Sequence, residues 1–213
     1  MSGVAVFDFD GTVISGDSIV AMLYAARKKG YIGLPTLAYA GLCGVLYHMH
    51  LMQAMTSKHK GHAFLTRLSE EERTAFLREF ARSLVDRAYP AAIRRMEAHR
   101  QAGEPVVLCS ASGDCYMRYV AAMLPVDALL CTPCGEDGDV VGPNCRGPEK
   151  VARLREWLDS QGLPPGGICA AYGDSAGDAY ILRESAHPVL VNPKRGLIRA
   201  LPEAERVLWG EKE

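Results

Sequence analysis

Two aspartates near the start of the chain, Asp8 and Asp10, stand at the end of an apolar run, Val4-Ala5-Val6-Phe7-Asp8-Phe9-Asp10-Gly11-Thr12. On an extended backbone, side chains two apart point the same way, so both carboxylates can face one site. Neighbouring carboxylates repel unless a cation or a shared proton relieves them, and a hard, oxygen-seeking ion such as Mg²⁺ is the natural partner. Asp-Gly alone would fit an ordinary turn equally well. What decides between these readings is the company the pair keeps. Ser110 follows a second apolar run, Pro105 to Cys109, and Asp174 and Asp178 follow another, Ile168 to Tyr172. Lys150 sits at the first turn of a helix between them. Acids, a hydroxyl and a lysine around one cation form a constellation for phosphoryl transfer. A carboxylate can attack phosphorus, a neighbouring acid can protonate the leaving alcohol and then activate water, and cations offset charge on the phosphoryl oxygens.

Such residues converge only if strands carry them to one edge. Uninterrupted apolar runs suit strands buried on both faces of a parallel sheet, whose ligands gather beyond the carboxyl ends. Further strands are expected at Val126 to Cys131 and at Pro188 to Val191. Helices alternate with them after residue 89, and the segment 131–145, with Pro133, Asp137-Gly138 and Pro143, reads as a hairpin or paired turns. The expected class is α/β: a doubly wound, mostly parallel Rossmann-like sheet.

Residues 15–88 break that alternation. Asp17 or Ser18 would N-cap a helix that ends at Gly30, and Ser69 with Glu72 has capping-box spacing ahead of Phe76, Leu77, Phe80 and Leu84. The segment therefore reads as an all-helical cap inserted after the first strand, with 1–14 and 89–213 as the core. From Tyr31 to Ser57 there is no Asp, Glu, Lys or Arg, a run long enough to test as a membrane span. Gly33, Pro35, Gly41, Gly44, His48 and His50 weaken that reading. A single crossing would also put Asp8 and everything after Ser57 on opposite sides, so a buried or membrane-surface helical hairpin is expected instead.

Composition narrows the class. The chain has 213 residues, 48% of them hydrophobic and 23% charged, with a formal net charge of -1. That balance is globular and lacks the electrostatic footprint of a nucleic-acid binder. Seven scattered cysteines do not form a disulfide framework, and no basic, apolar and cleavable leader precedes Asp8, so a reducing cytoplasm is the expected location.

The quoted residues, Asp8-Phe9-Asp10-Gly11-Thr12, Ser110, Lys150 and Gly173-Asp174-Ser175-Ala176-Gly177-Asp178, resemble in order the four motifs of the haloacid-dehalogenase-like hydrolase superfamily. The helical insertion after the first motif looks like the cap of its phosphoserine-phosphatase-like branch. The resemblance implies Asp8 as nucleophile and metal ligand, and Asp10 as general acid/base that ligates through its backbone carbonyl. It further implies Thr12 as an orienting group, Ser110 and the Ala111 N–H as phosphate holders, and Lys150 as the neutralising cation. Asp174 would ligate Mg²⁺, and Asp178 would support the metal shell or Lys150. The presence of Asp10 favours ester hydrolysis over dehalogenation. Two positions depart from the branch: Asp17 stands where a substrate-reading glutamate is usual, and Gly177 where asparagine is common, which puts phosphoserine itself in doubt.

Other candidates have plainer explanations. Cys131-Thr132-Pro133-Cys134 is a CxxC pair without a second pair, so chance adjacency outweighs a redox or zinc role. His48, His50, His59 and His62 fall in the insertion without a metal-binding pattern and read as cap surface or packing. Ser112 is either a phosphate contact or a helix cap, and Asp17 either a cap or a substrate ligand. The expected function is a Mg²⁺-dependent phosphatase acting on a small phosphorylated molecule through an aspartyl phosphate. The alternatives are a lipid-phosphate phosphatase at a membrane surface and a non-catalytic phosphate- or partner-binding module.

Overall fold

β1 (Val4–Phe7) is buried on both faces and lies at the middle of the molecule, as its continuous apolar run requires. The structure, a computed structural model, describes residues 3–48, 51, 53–164 and 166–210. β1 pairs in parallel with β2 (Val106–Gly113) on one side and β4 (Ile168–Gly173) on the other. β3 (Ala128–Thr132) flanks β2, while β5 (His187–Val191) and β6 (Glu205–Val207) extend the other side. The sheet order is β3-β2-β1-β4-β5-β6, and every pairing is parallel. β6 has no apolar run to announce it; pairing with β5, rather than burial, makes those three residues a strand.

The two faces of the sheet pack different helices. Ala5 and Phe7 share one core with α5 (Pro90–Gln101) and α6 (Asp114–Ala121). Val4 and Val6 share the other with α7 (Pro148–Ser160), α8 (Ala179–Arg183) and α9 (Arg195–Ala200). Register decides the rest. Phe7 pairs with Leu108 and with Tyr172, so Asp8, Ser110 and Asp174 emerge at one edge of the sheet.

Between β1 and α5 the described chain contains helices and no strand: α1 (Ser18–Lys28), α2 (Leu34–His48), α3 (Ala54–His62), a 3₁₀ turn at Leu65–Arg67 and α4 (Glu70–Val85). Asp17 caps α1, accepting from the N–H groups of Ile19 and Val20, and Ser69 and Glu72 form the capping box of α4. Ile14 bridges Ala88, and the Tyr89 N–H donates to Val13 carbonyl oxygen at 2.9 Å, tying the two stems together. We propose this stem as the boundary between a core of 1–14 and 89–213 and a cap of 15–88. Phe80 of α4 meets Tyr116 of α6 edge-on at 5.3 Å, carrying the cap's core into that of the sheet. The uncharged stretch folds as α2 and the start of α3; Cys43 is buried, but Leu34, Tyr39, Leu42 and Val45 are exposed. No helix among the described residues is long and apolar enough to cross a membrane. His50 and the side chain of His48 lie outside what is described.

Candidate active site

The strand ends bring four of the expected groups into contact. Lys150 Nζ, 2% exposed, donates to Asp8 Oδ1 at 2.6 Å and to Asp178 Oδ1 at 2.7 Å. Thr12 Oγ1 donates to the other oxygen of Asp8 at 3.3 Å, so both carboxylate oxygens are oriented. Gly147, at φ 61°, opens α7 and lets Lys150 enter from the first turn. Asp174 lies beyond β4, where Lys194 Nζ reaches its Oδ2 at 2.5 Å. Gly11, at φ +81°, closes the turn after Asp10, and a Cβ there would run into the Asp174 carboxylate.

Carboxylate oxygens of Asp8, Asp174 and Asp178 fall within 4.8 Å of one another. Three hard oxygen donors at that spacing, with Lys150 and Lys194 beside them, are a donor set that could hold a hard divalent cation. Asp10 belongs to a different network. Its Oδ1 accepts from the Ser18 N–H at 2.7 Å, and its Oδ2 accepts from Ser112 Oγ at 2.6 Å and Ser18 Oγ at 3.0 Å. Tyr116 OH lies 2.8 Å from Ser18 Oγ and completes the group. The Asp10 carboxylate thus stands apart from the acid trio, with both oxygens hydrogen-bonded to Ser18 and Ser112.

Electrostatics separate the acids. Burial, reinforced by the charge of Asp178, raises the pKa of Asp8 to about 8 despite Lys150. Burial and the charge of Asp17 raise that of Asp10 to about 6, against the hydrogen bonds from Ser112 and Ser18. Burial also raises Asp174. Asp178 is lowered: burial opposes ionisation, but the charge and hydrogen bond of Lys150 outweigh it. Lys150 is held well above its ordinary value, because Asp178 and Asp8 overcome burial.

Ser110 is buried within β2, and its Oγ accepts from the Ser112 N–H at 3.1 Å. Ala111 turns its carbonyl toward Thr132 Oγ1, at 2.6 Å. Ser112 neither caps α6, whose N-cap is Gly113, nor is committed to a phosphate; it binds Asp10. Asp17 caps α1 through Oδ1, yet stays close enough to raise Asp10. At Gly177 a Cβ would lie 2.9 Å from Arg146 Nε, so an arginine occupies the space beside that position.

One neighbour escapes sequence reasoning. Lys58, on α3 of the cap, donates to the Ala111 carbonyl, to Asn144 Oδ1 at 2.5 Å and to Thr132 Oγ1 at 3.2 Å. Burial lowers its pKa to about 8. Nothing in Ser57-Lys58-His59-Lys60 distinguishes it from a solvated helix face; its role exists only because the cap folds over β2.

The chain is similar to several known proteins. The chain is 33% identical over 185 residues to Protein CicA of Caulobacter vibrioides, covering 83% of this chain and 80% of the relative. It is 28% identical over 213 residues to a histidinol-phosphatase of Neisseria meningitidis, covering 95% and 96% respectively. A crystal structure of a Bordetella pertussis protein of unknown function superposes with a TM-score of 0.87 at 23% identity, over 97% of this chain and 99% of that one. A substrate-bound phosphoserine phosphatase shares the fold with a TM-score of 0.70 at 15% identity, over 97% and 93%. Residues 5–183, from β1 to the end of α8 and including every acid and lysine of the expected motifs, match the model of the haloacid dehalogenase-like hydrolases. The chain belongs to that family.

Proposed function

We propose that this hydrolase is a Mg²⁺-dependent phosphomonoesterase that works through an aspartyl phosphate on a small molecule in a reducing cytoplasm. One observation carries the reading: Asp8, buried and held through both oxygens, touches a lysine 142 positions away at 2.6 Å, beside two further acids. Lys150 and Thr12 fix the carboxylate of Asp8 for attack on phosphorus. Asp10 protonates the departing alcohol as the P–O bond breaks, then takes a proton from the water that cleaves the acyl phosphate. Ser110 and the Ala111 N–H hold the phosphoryl oxygens, and Asp178 keeps Lys150 charged and in place. Mg²⁺, held by Asp8, Asp174 and the Asp10 carbonyl with Asp178 in support, would supply neutralisation of the phosphoryl group. All seven cysteines are free, in keeping with a reducing compartment.

The mouth of the site bears on the substrate. Lys58, bonded to the Ala111 carbonyl, and Arg146, beside Gly177, would bring positive charge that suits a dianionic phosphate, while the second oxygen of Asp17 would offer one acid to an amino group. Histidinol phosphate, suggested by the Neisseria relative, and other small amino-alcohol phosphates head the candidates. A second reading, a lipid-phosphate phosphatase, is favoured only by the exposed apolar residues of α2. The test is a panel of histidinol phosphate, phosphoserine and short-chain lipid phosphates, with Mg²⁺ or EDTA, and with Asp8→Asn alongside. Activity should need the metal and fall by roughly 10⁴–10⁶-fold in the variant. Turnover surviving Asp8→Asn would refute the nucleophile. Preference for the lipid esters with binding to liposomes would favour the second reading.

A further inference from the structure

A second cluster of ligand-type side chains lies on the seam between cap and core, outside the acid trio. His62 is the last residue of α3, Cys115 lies in the first turn of α6, and Cys134 follows β3. Ligand-capable atoms of the three fall within 4.8 Å of one another. Sequence spacing pairs Cys134 with Cys131, but the fold pairs it with a histidine and a cysteine from two other elements.

We propose that His62, Cys115 and Cys134 form a binding site for a soft divalent cation of the Zn²⁺ type, pinning the cap to the core. The histidine is the strongest argument. It is fully buried, with Nδ1 2.9 Å from the Gly138 carbonyl and 3.8 Å from Cys115 Sγ. Nδ1 therefore carries the proton, and Nε2 is left with a lone pair. Among the described residues, Nε2 is the one buried side-chain nitrogen or oxygen with no hydrogen-bond partner. A histidine that gives one N–H to a backbone carbonyl and keeps the other nitrogen bare has the arrangement of a metal ligand with its outer shell in place. Leaving that nitrogen unsatisfied costs free energy, which coordination would recover.

The remaining chemistry agrees. One imidazole and two thiols select borderline-soft ions, and three protein ligands leave a fourth tetrahedral position for water. Cys134 is only half-buried, which gives an ion a way in. Gly113 makes the approach possible: a Cβ there would stand 2.7 Å from His62 Cε1 and 2.9 Å from Cys134 Sγ. The acid trio, all oxygen, would not compete well for such an ion.

Co²⁺ in place of Zn²⁺ reads the site directly, since only thiolate ligands give an intense sulfur-to-cobalt charge-transfer band. The full chain, kept reduced and stripped of metal, is titrated with Co²⁺ and then competed with Zn²⁺. One equivalent should produce the band, and Zn²⁺ should abolish it. Cys134→Ser, Cys115→Ser and His62→Gln, each checked for folding by circular dichroism, should weaken binding at least ~10-fold, the loss that even an outer-shell change brings. Three variants are used so that any one that fails to fold leaves the others to decide. Cys145→Ala controls for the other close pair, Cys109 and Cys145, whose sulfurs are 3.9 Å apart; it should leave the band intact. No band in the wild-type chain, a band undiminished in the folded variants, or one lost with Cys145 would overturn the site.

Discussion

Asp8 and Asp10 are two residues apart and alike in type, yet their surroundings assign them different work. Lys150 and Thr12 hold Asp8, whereas Ser18, Ser112 and the Tyr116 hydroxyl behind them hold Asp10. Ser112 favours the ionised form of Asp10, because its hydroxyl donates to the carboxylate at 2.6 Å. Removing it in Ser112→Ala should raise the pKa of Asp10 above its present value of about 6. Leaving-group protonation needs the acid form, so the alkaline limb of kcat/KM against pH should move upward by roughly one unit. An alkaline limb that stays put in that variant would remove Asp10 from the proton-transfer role.

Among the elements, α3 reaches the β2 strand end through Lys58. Lys58 reaches from the cap to the Ala111 carbonyl and to Thr132 and Asn144, next to the residues proposed to hold phosphate. Lys58→Ala should lower kcat/KM roughly 10–100-fold, the size of a lost charged hydrogen bond, with little change in melting temperature. Lys58→Arg should recover part of it. Equal turnover in wild type and Lys58→Ala would make this contact a closure of the cap without a share in catalysis. α1 shows the reverse dependence, since its cap Asp17 can be read locally from Asp17-Ser18 and needs no tertiary partner.

For the molecule as a whole, crowding of acids at one sheet edge links stability to pH. Asp8 goes from 3.8 to about 8 on folding and Asp10 from 3.8 to about 6. Between those values the folded chain binds more protons than the unfolded one, so stability falls as pH rises across the window. Asp178, which is lowered, opposes the trend only at lower pH, whereas Cys134, lowered to about 5 beside Cys115 and His62, offsets part of it within the window. Metal-free protein should therefore melt at a lower temperature at about pH 8 than at about pH 5. Mg²⁺, which takes the ionised carboxylates, should stabilise more at the higher pH. A melting temperature that ignores pH and a Mg²⁺ effect that is the same at both would count against the trio as a metal site.

Local chemistry made much of this legible in one dimension. Apolar runs ending in Asp8, Ser110 and Asp174 imply parallel strands whose carboxyl ends converge, and β1, β2 and β4 pair in that register. The capping box at Ser69, Pro90 opening α5 and the turn at Asp137-Gly138 are likewise short-range signals, because their partners lie within a few residues. β6 was not legible, since an edge strand of three residues need not be apolar. Nor were Lys58 over Ala111, Arg146 against Gly177, Lys194 on Asp174, or His62 between Cys115 and Cys134. Each depends on where the cap and the loops come to rest, a matter of packing between elements far apart in the chain. Local residue patterns were enough to place the candidate acids Asp8 and Asp174 at one edge of a parallel sheet. Tertiary structure alone decided which side chains from the cap and the loops close over them, because long-range contacts leave no periodic trace.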